Sequence, residues 1–576
     1  MQSLAPARVA LRRVRFGLSD VAVILGALVL LAIIAKVGAG AFVSFTPPKN
    51  VPNVSLDPRN LPYYAARSTL RMFIALIAST IFTFVYGYAA ARSRYAERVL
   101  IPLLDILQSV PVLGFLSITI TGFIALFPGS LLGLECASIF AIFTSQAWNM
   151  AFSFYQSLRT LPQDLSEASE AYRLPLWQRF VRLEVPAAMI GLIWNAMMSF
   201  GGGWFFLAAS EAITVLNQSY TLPGIGSYVA LAIEDRDMRA LGLAILTMGI
   251  TIVLIDQLFW RPVVAWADKF RLEQSAAAEP PRSWVYDTLR SSRVPHALER
   301  AWTPFGDAVN GALSTLTRIR ARRPAVSRRV RILDAVYDVL LVAVVIGLVA
   351  LGIHFIVTTV GFGEIVRVAG LGAATLARVL SLVIVSSLIW TPLGVLIGLS
   401  PKLTRRLQPV ALFCASFPAN FIFPFATLAF ITYHVPIDFG STLLMALGAQ
   451  WYILFNAIAG GASVPTDLRE MTDDIGVHGW QRWNRLLIPA VFASWVTGAL
   501  TASGGAWNAS IVAEVVTWGH TTLTASGLGA YIADATMKGD WPRIALGVGM
   551  MSLYVVVINR LVWRRLYQLA EVKYHL

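Results

Sequence analysis

Twelve apolar runs of bilayer-spanning length lie along the chain, at about 20–42, 68–91, 100–127, 131–157, 187–211 and 239–262, then at 335–358, 376–399, 408–433, 439–461, 490–514 and 541–563. Crossing the hydrocarbon takes about 20 apolar residues, so each run predicts a transmembrane helix, and a pattern of six occurs twice. No water-soluble packing scheme hides that much apolar surface. Of the 576 residues, 57% are hydrophobic and 14% charged, against roughly 25% charged in an ordinary soluble domain. The expected fold class is an all-α membrane protein of about 12 transmembrane helices. Disorder, a secreted disulfide scaffold and a soluble enzyme are excluded.

The formal charge of +14 raises nucleic acid as a partner, but in a membrane chain the informative quantity is how Lys and Arg divide between the two sides. With the N-terminus inside, most of the 46 Lys and Arg fall on inside segments, and the sign survives without the long linker. Both termini are therefore expected to be cytoplasmic, and a nucleic-acid role loses its main support. Arg8, Arg12, Arg13 and Arg15 precede the first run, which is longer than a signal-peptide core and reads as a retained signal anchor. Cys136 and Cys414 lie in separate apolar stretches without metal-type spacing, and the six histidines are scattered. No metal site is expected.

The two sets of six are copies. Sliding the chain by 303 positions aligns 162–186 with 465–489, and ten of the twenty-five positions are identical, where chance gives about one or two. The same register pairs Gly201 with Gly504, Gly202 with Gly505, Trp204 with Trp507, Glu211 with Glu514, Gly224 with Gly527 and Gly226 with Gly529. Upstream, with small gaps, Ser109-Val110-Pro111 matches Ser416-Phe417-Pro418 and Gln146 matches Gln450. Six spans per copy make both copies enter from the same side, a parallel repeat with a pathway expected between halves. The domains read as a first half at 1–262, a cytoplasmic linker at 263–334 and a second half at 335–576. The linker is a tether with some helix around 296–320, and its Arg cluster at 318–331 suits topology and attraction to anionic lipid.

The most polar stretch of each half lies between its fourth and fifth spans, at 161–186 and 464–489. Each opens with a Pro and an acidic first turn, the chemistry of a helix N-terminus, and predicts a short helix-loop-helix on the cytoplasmic face. These segments resemble the EAA loop of importer-type ABC permeases. Glu167-Ala168-Ser169 keeps the first part of that pattern, Arg173 stands where its Gly is expected, and Glu470 and Gly476 keep both in the second copy. The tails at 224–230 and 527–533 resemble the nitrate, sulfonate, taurine and bicarbonate permease group, specifically its duplicated anion permeases.

The resemblance implies a type I importer fold in which two cytoplasmic ABC ATPase subunits bind the EAA-like segments and an extracytoplasmic solute-binding protein delivers a small anion at a bacterial inner membrane. The ATPase-coupling residues it points to are Glu167, Ala168, Arg173, Trp177 and Arg179, with Glu470, Gly476, Trp480 and Arg482. No Gly-Lys dipeptide occurs in the chain, so no Walker A loop is expected. The chain would be non-catalytic, with no cofactor of its own and ATP and Mg held by the partners.

Polar groups in a span face a cavity or another helix. Candidate pathway or gate residues are Gln146, Gln450, Trp204, Trp507, Glu211, Glu514 and Asn508, with Pro111 and Pro418 as kinks in the third span of each half. A carboxylate in the pathway would repel an anion, which casts Glu211 and Glu514 as structural partners or gate elements. Two other functions stay open: a permease for an amino acid or quaternary amine, which would favour aromatic cages and acidic residues, and an ATP-independent secondary transporter.

Overall fold

The computed structural model describes residues 17–40, 54–109, 111–215, 218–270, 283–317 and 328–573. The basic residues before Gly17, Val110 and the Arg-rich stretch 318–327 lie outside them. The first half runs through α1 (Leu18–Ala39), α2 (Leu61–Arg92), α3 (Arg94–Ser109), α4 (Leu116–Leu126), α5 (Leu132–Arg159), α6 (Gln163–Ala171), α7 (Leu176–Arg179), α8 (Val185–Glu211), the hairpin β1 (Ala212–Val215) and β2 (Gln218–Thr221), α9 (Ile225–Glu234), α10 (Met238–Ile255) and α11 (Arg261–Ala267). The linker contains α12 (Trp284–Ser291) and α13 (Val294–Leu316). The second half repeats the order as α14 (Arg328–Thr359), α15 (Phe362–Gly398), α16 (Pro401–Ser416), α17 (Phe423–Tyr433), α18 (Ile437–Ala462), α19 (Thr466–Asp474), α20 (Gly479–Arg482), α21 (Ile488–Ala513), β3 (Val515–Trp518) and β4 (Thr521–Thr524), α22 (Leu528–Lys538), α23 (Trp541–Ile558) and α24 (Arg564–Lys573).

Nine of the twelve expected spans are single helices long and apolar enough to cross a membrane among the described residues. The third span of each half is not a kinked helix but a broken one. Ahead of Pro111 the chain leaves α3, and a 3-10 turn at Val112–Phe115 precedes α4. Pro418 likewise precedes a turn at Ala419–Phe421 and then α17. A ring without an N–H, joined to a restricted preceding residue, ends a helix at that point. The remaining span, α5, carries Glu135, Thr144, Ser145, Gln146 and Asn149 on a 28-residue helix.

Two features depart from the expected all-helical spans. After Glu211 and Glu514 the chain turns back in antiparallel hairpins, registered Ala212 with Thr221 and Val515 with Thr524. The second polar helix of each copy is also not separate from the next span. Through π turns at Phe180–Glu184 and Trp483–Leu487 it continues into α8 and α21, with Pro186 and Pro489 just after each turn.

The described residues fall into two compact units. One draws on Met1–Lys36, Pro162–Ile190 and Ile255–Arg320; the other on Val37–Leu161, Gly191–Leu254 and Ala321–Leu576. The larger unit contains most spans of both halves, and its core joins them: Val112, Leu116 and Leu134 pack in one cluster with Leu444, Ala506 and Trp507.

Candidate functional site: an amide-lined cavity, two buried carboxylates and two polar segments

Within the larger unit, α3, α5, α8, α18, α21 and α23 enclose a cavity of about 370 Å³. Its polar lining is amide and hydroxyl: Gln108, Asn149, Asn195, Asn456, Asn508 and Asn559, with Thr144, Ser145, Ser199, Thr497, Thr501 and Ser503. Among the described residues, no Asp, Glu, Lys, Arg or His lines it. Trp148, Tyr452, Trp507 and Trp563 supply aromatic wall. A volume in the range of small-ligand pockets, lined by groups that both donate and accept, suits a small polar solute carrying some of its hydration water.

Of the expected pathway residues, Trp507 and Asn508 line this cavity and the others do not. Asn508 Oδ1 accepts from the Val112 N–H at 3.0 Å, so the fifth span of the second half caps the turn at the first half's break. Three successive glycines of α8 face three neighbours. An added Cβ would lie 2.5 Å from Ser416 Oγ at Gly201, 3.1 Å from the Tyr452 hydroxyl at Gly202 and 3.0 Å from Gln146 Nε2 at Gly203. Gln146 therefore points into the α8 contact, with both side-chain polar atoms buried and without a hydrogen-bond partner among the described residues. Gln450 accepts from Trp390 Nε1 at 2.9 Å. Trp204 is buried edge-on to Phe200.

Glu211 and Glu514 are fully buried, each at the end of its fifth span. Glu211 accepts from Ser68 Oγ at 2.6 Å, Arg71 Nη1 at 2.6 Å and the Gly226 N–H at 2.7 Å. Glu514 accepts from Thr375 Oγ1 at 2.7 Å, Arg378 Nη1 at 2.8 Å and the Ala530 N–H at 3.0 Å. Each arginine bonds a second carboxylate, Arg71 to Glu135 at 2.5 Å and Arg378 to Asp438 at 2.6 Å. Buried charge is tolerated when paired and fully hydrogen-bonded. These networks explain the repeated glycines: a Cβ at Gly224 or Gly527 would occupy the space of the Glu211 or Glu514 carboxylate. Sequence reasoning missed Arg71 and Arg378, although a charge inside an apolar run is the signal that marks them.

The two polar segments share one backbone. Each first helix ends in a Schellman turn, with Leu174 N–H donating to Ser169 O at 3.1 Å and Val477 N–H to Thr472 O at 2.9 Å. The turn needs a left-handed residue, and that residue is Arg173 (φ 51°) in one copy and Gly476 (φ 71°) in the other. Arg179 braces the first segment by bonding Glu184 at 2.9 Å and Ser166 at 2.8 Å; Arg482 bonds Asp473 at 2.7 Å. Glu167, Ala168 and Glu470 are exposed. In the smaller unit, Trp177 Nε1 donates to Asn310 of α13 at 2.8 Å and Gln178 to Ser314 at 3.3 Å. Trp480 is 75% exposed.

The family model described as binding-protein-dependent transport system inner membrane component matches residues 83–259 and again 390–566. The nitrate import permease protein NrtB of Leptolyngbya laminosa is 26% identical over 190 residues, 33% of this chain and 64% of that protein. The bicarbonate transport system permease protein CmpB of Synechococcus elongatus is 26% identical over 189 residues, 33% of this chain and 65% of that protein. The chain thus spans just under two thirds of the length of the relatives it matches.

Proposed function

The chain belongs to the family of binding-protein-dependent transport system inner membrane components, whose module it carries twice, and from that membership we propose that it is a pathway-forming permease of an ATP-driven importer for a small oxyanion. Both modules that such a pathway needs are here on one polypeptide. The observation that carries the proposal is the cavity of amide and hydroxyl groups built from described residues of both halves. Amide and hydroxyl donors bind an anion weakly enough to release it, whereas a fixed guanidinium would hold it and a carboxylate would repel it. Nitrate and bicarbonate, named for the two relatives, are planar oxyanions of a size the cavity admits.

The segments at 161–186 and 464–489 are the docking sites of two cytoplasmic ABC ATPase subunits, which bind ATP and Mg. A solute-binding protein delivers cargo on the opposite face, and both termini are cytoplasmic. Glu167 and Glu470 are the exposed acidic contacts of the docking helices. Trp148, Trp507 and Trp563 would suit a quaternary amine, but among the described residues the cavity lining has no carboxylate to complete a cation site. The test is ATP hydrolysis by the chain reconstituted in vesicles with its ATPase and binding-protein partners. Nitrate, bicarbonate or a sulfonate is expected to stimulate it, and stimulation by an amine or amino acid alone would replace the oxyanion assignment. Solute uptake by the chain with no ATPase present would overturn the importer.

A further inference from the structure

Helix α13 has two working faces. One holds the first polar segment through Asn310, Ser314 and Thr317, whose Oγ1 accepts from the Trp177 backbone N–H at 3.3 Å. On a helix of 3.6 residues per turn, Leu298, Trp302, Phe305, Val309 and Leu316 fall in a narrow stripe about a third of a turn away from those contacts. All five are exposed, Leu298, Trp302, Phe305 and Leu316 by 60–69%. A continuous apolar stripe of this kind, some 27 Å long at 1.5 Å per residue, is not left to water on a soluble surface.

What covers it follows from where α13 starts. Its first turn is tied to the beginning of α1: Asp20 accepts from Ser292 Oγ at 2.8 Å and from the Arg293 N–H at 2.6 Å. Asp20 is 3% exposed although the apolar residues of α1 around it lie open. With 22 residues and a hydropathy of 2.7, α1 is a membrane span, so its first turn lies at headgroup level and α13 leaves from that level. Leu, Trp, Phe and Val on one face with Glu299, Thr303 and Asp307 on the other give α13 the apolar and polar faces of an interfacial helix.

We propose that α13 lies in the membrane surface at which α1 begins, with the Leu298–Leu316 stripe sunk into the boundary between headgroups and acyl chains, and that it carries the first polar segment on its other face. The bilayer itself then anchors one of the two docking segments. This rests on α1 crossing the membrane and not on which solute is carried or on any ATPase.

The experiment is site-directed spin labelling of the full chain, with Cys136 and Cys414 replaced by Ala, in vesicles of phosphatidylethanolamine and phosphatidylglycerol. Labels at Leu298→Cys, Phe305→Cys and Val309→Cys are expected to be reached by oxygen in preference to a water-soluble nickel chelate. Labels at Glu299→Cys, Thr303→Cys and Asp307→Cys are expected to show the reverse. The double change Trp302→Glu and Phe305→Glu should lift the Val309 label out of the oxygen-rich zone while the span helices keep their signal. Stripe labels as open to the chelate as the polar-face labels would overturn the proposal, as would stripe labels shielded from both reagents only when ATPase subunits are added. A Val309 label unmoved by the double change would also overturn it.

Discussion

Trp177 and Trp480 occupy the same position in the two polar segments, yet Trp177 is held by Asn310 of the linker helix and Trp480 stands 75% exposed. A few residues upstream the copies agree again, with the same Schellman hydrogen bonds closing both first helices. At the fifth spans they also agree, each burying a Glu against an Arg from the second span of its own half. Duplication has kept what the backbone and buried charge require and has let the exposed partners diverge. The two polar segments are therefore one shape in two settings.

The buried networks give the largest expected effects. Glu211→Ala leaves Arg71 buried beside Glu135, and Glu514→Ala leaves Arg378 with Asp438, whose side chain is 56% exposed. Removing one partner of a buried pair costs about 3–5 kcal/mol, and water reaching Asp438 should soften the second loss. Thermal unfolding in detergent should rank Glu211→Ala well below Glu514→Ala, and equal losses would show that the two networks are energetically alike.

Next comes the left-handed residue. Exchanging Arg173→Gly should stabilise the first segment by roughly 1 kcal/mol, and Gly476→Arg should destabilise the second by a similar amount. Hydrogen exchange at Leu174 and Val477 reads both changes locally. No change at either site would mean that the turn carries no strain. The smallest effect separates the tryptophans. Trp177→Ala forfeits a hydrogen bond of about 1 kcal/mol and loosens α13, seen as faster proteolysis of the linker. Trp480→Ala should leave stability within about 0.5 kcal/mol, as exposed substitutions do, and act on partner binding alone.

The repeat, the spans and the polar segments were legible because each is written locally, as apolar runs or as identities at a fixed shift. The Arg partners were not. Arg71 and Arg378 are separated by 307 positions, so the ungapped register of 303 hides their equivalence. Their partners Glu211 and Glu514 lie more than a hundred residues away in sequence. Gln146 was placed by its polarity in the pathway, but three glycines let α8 approach the helix face that carries it, and the cavity fell to Asn149 and Asn456 instead, beside Asn195, whose polarity inside a span marks it in the sequence. The hairpins carried a strand signal in Val515-Val516-Thr517-Trp518 and Thr521-Thr522-Leu523-Thr524 that the neighbouring spans obscured. The α13 contact with Trp177 had no precursor in the repeat, because the linker occurs once.

The central claim is that one chain offers two separate ATPase docking segments. Its most direct test is the number of ATPase subunits retained per chain on affinity purification from the native membrane in mild detergent. Two per chain are expected for the native sequence, falling to one in Glu167→Lys and to one in Glu470→Lys. Recovery of the chain without any ATPase, or two subunits retained in both variants, would contradict it.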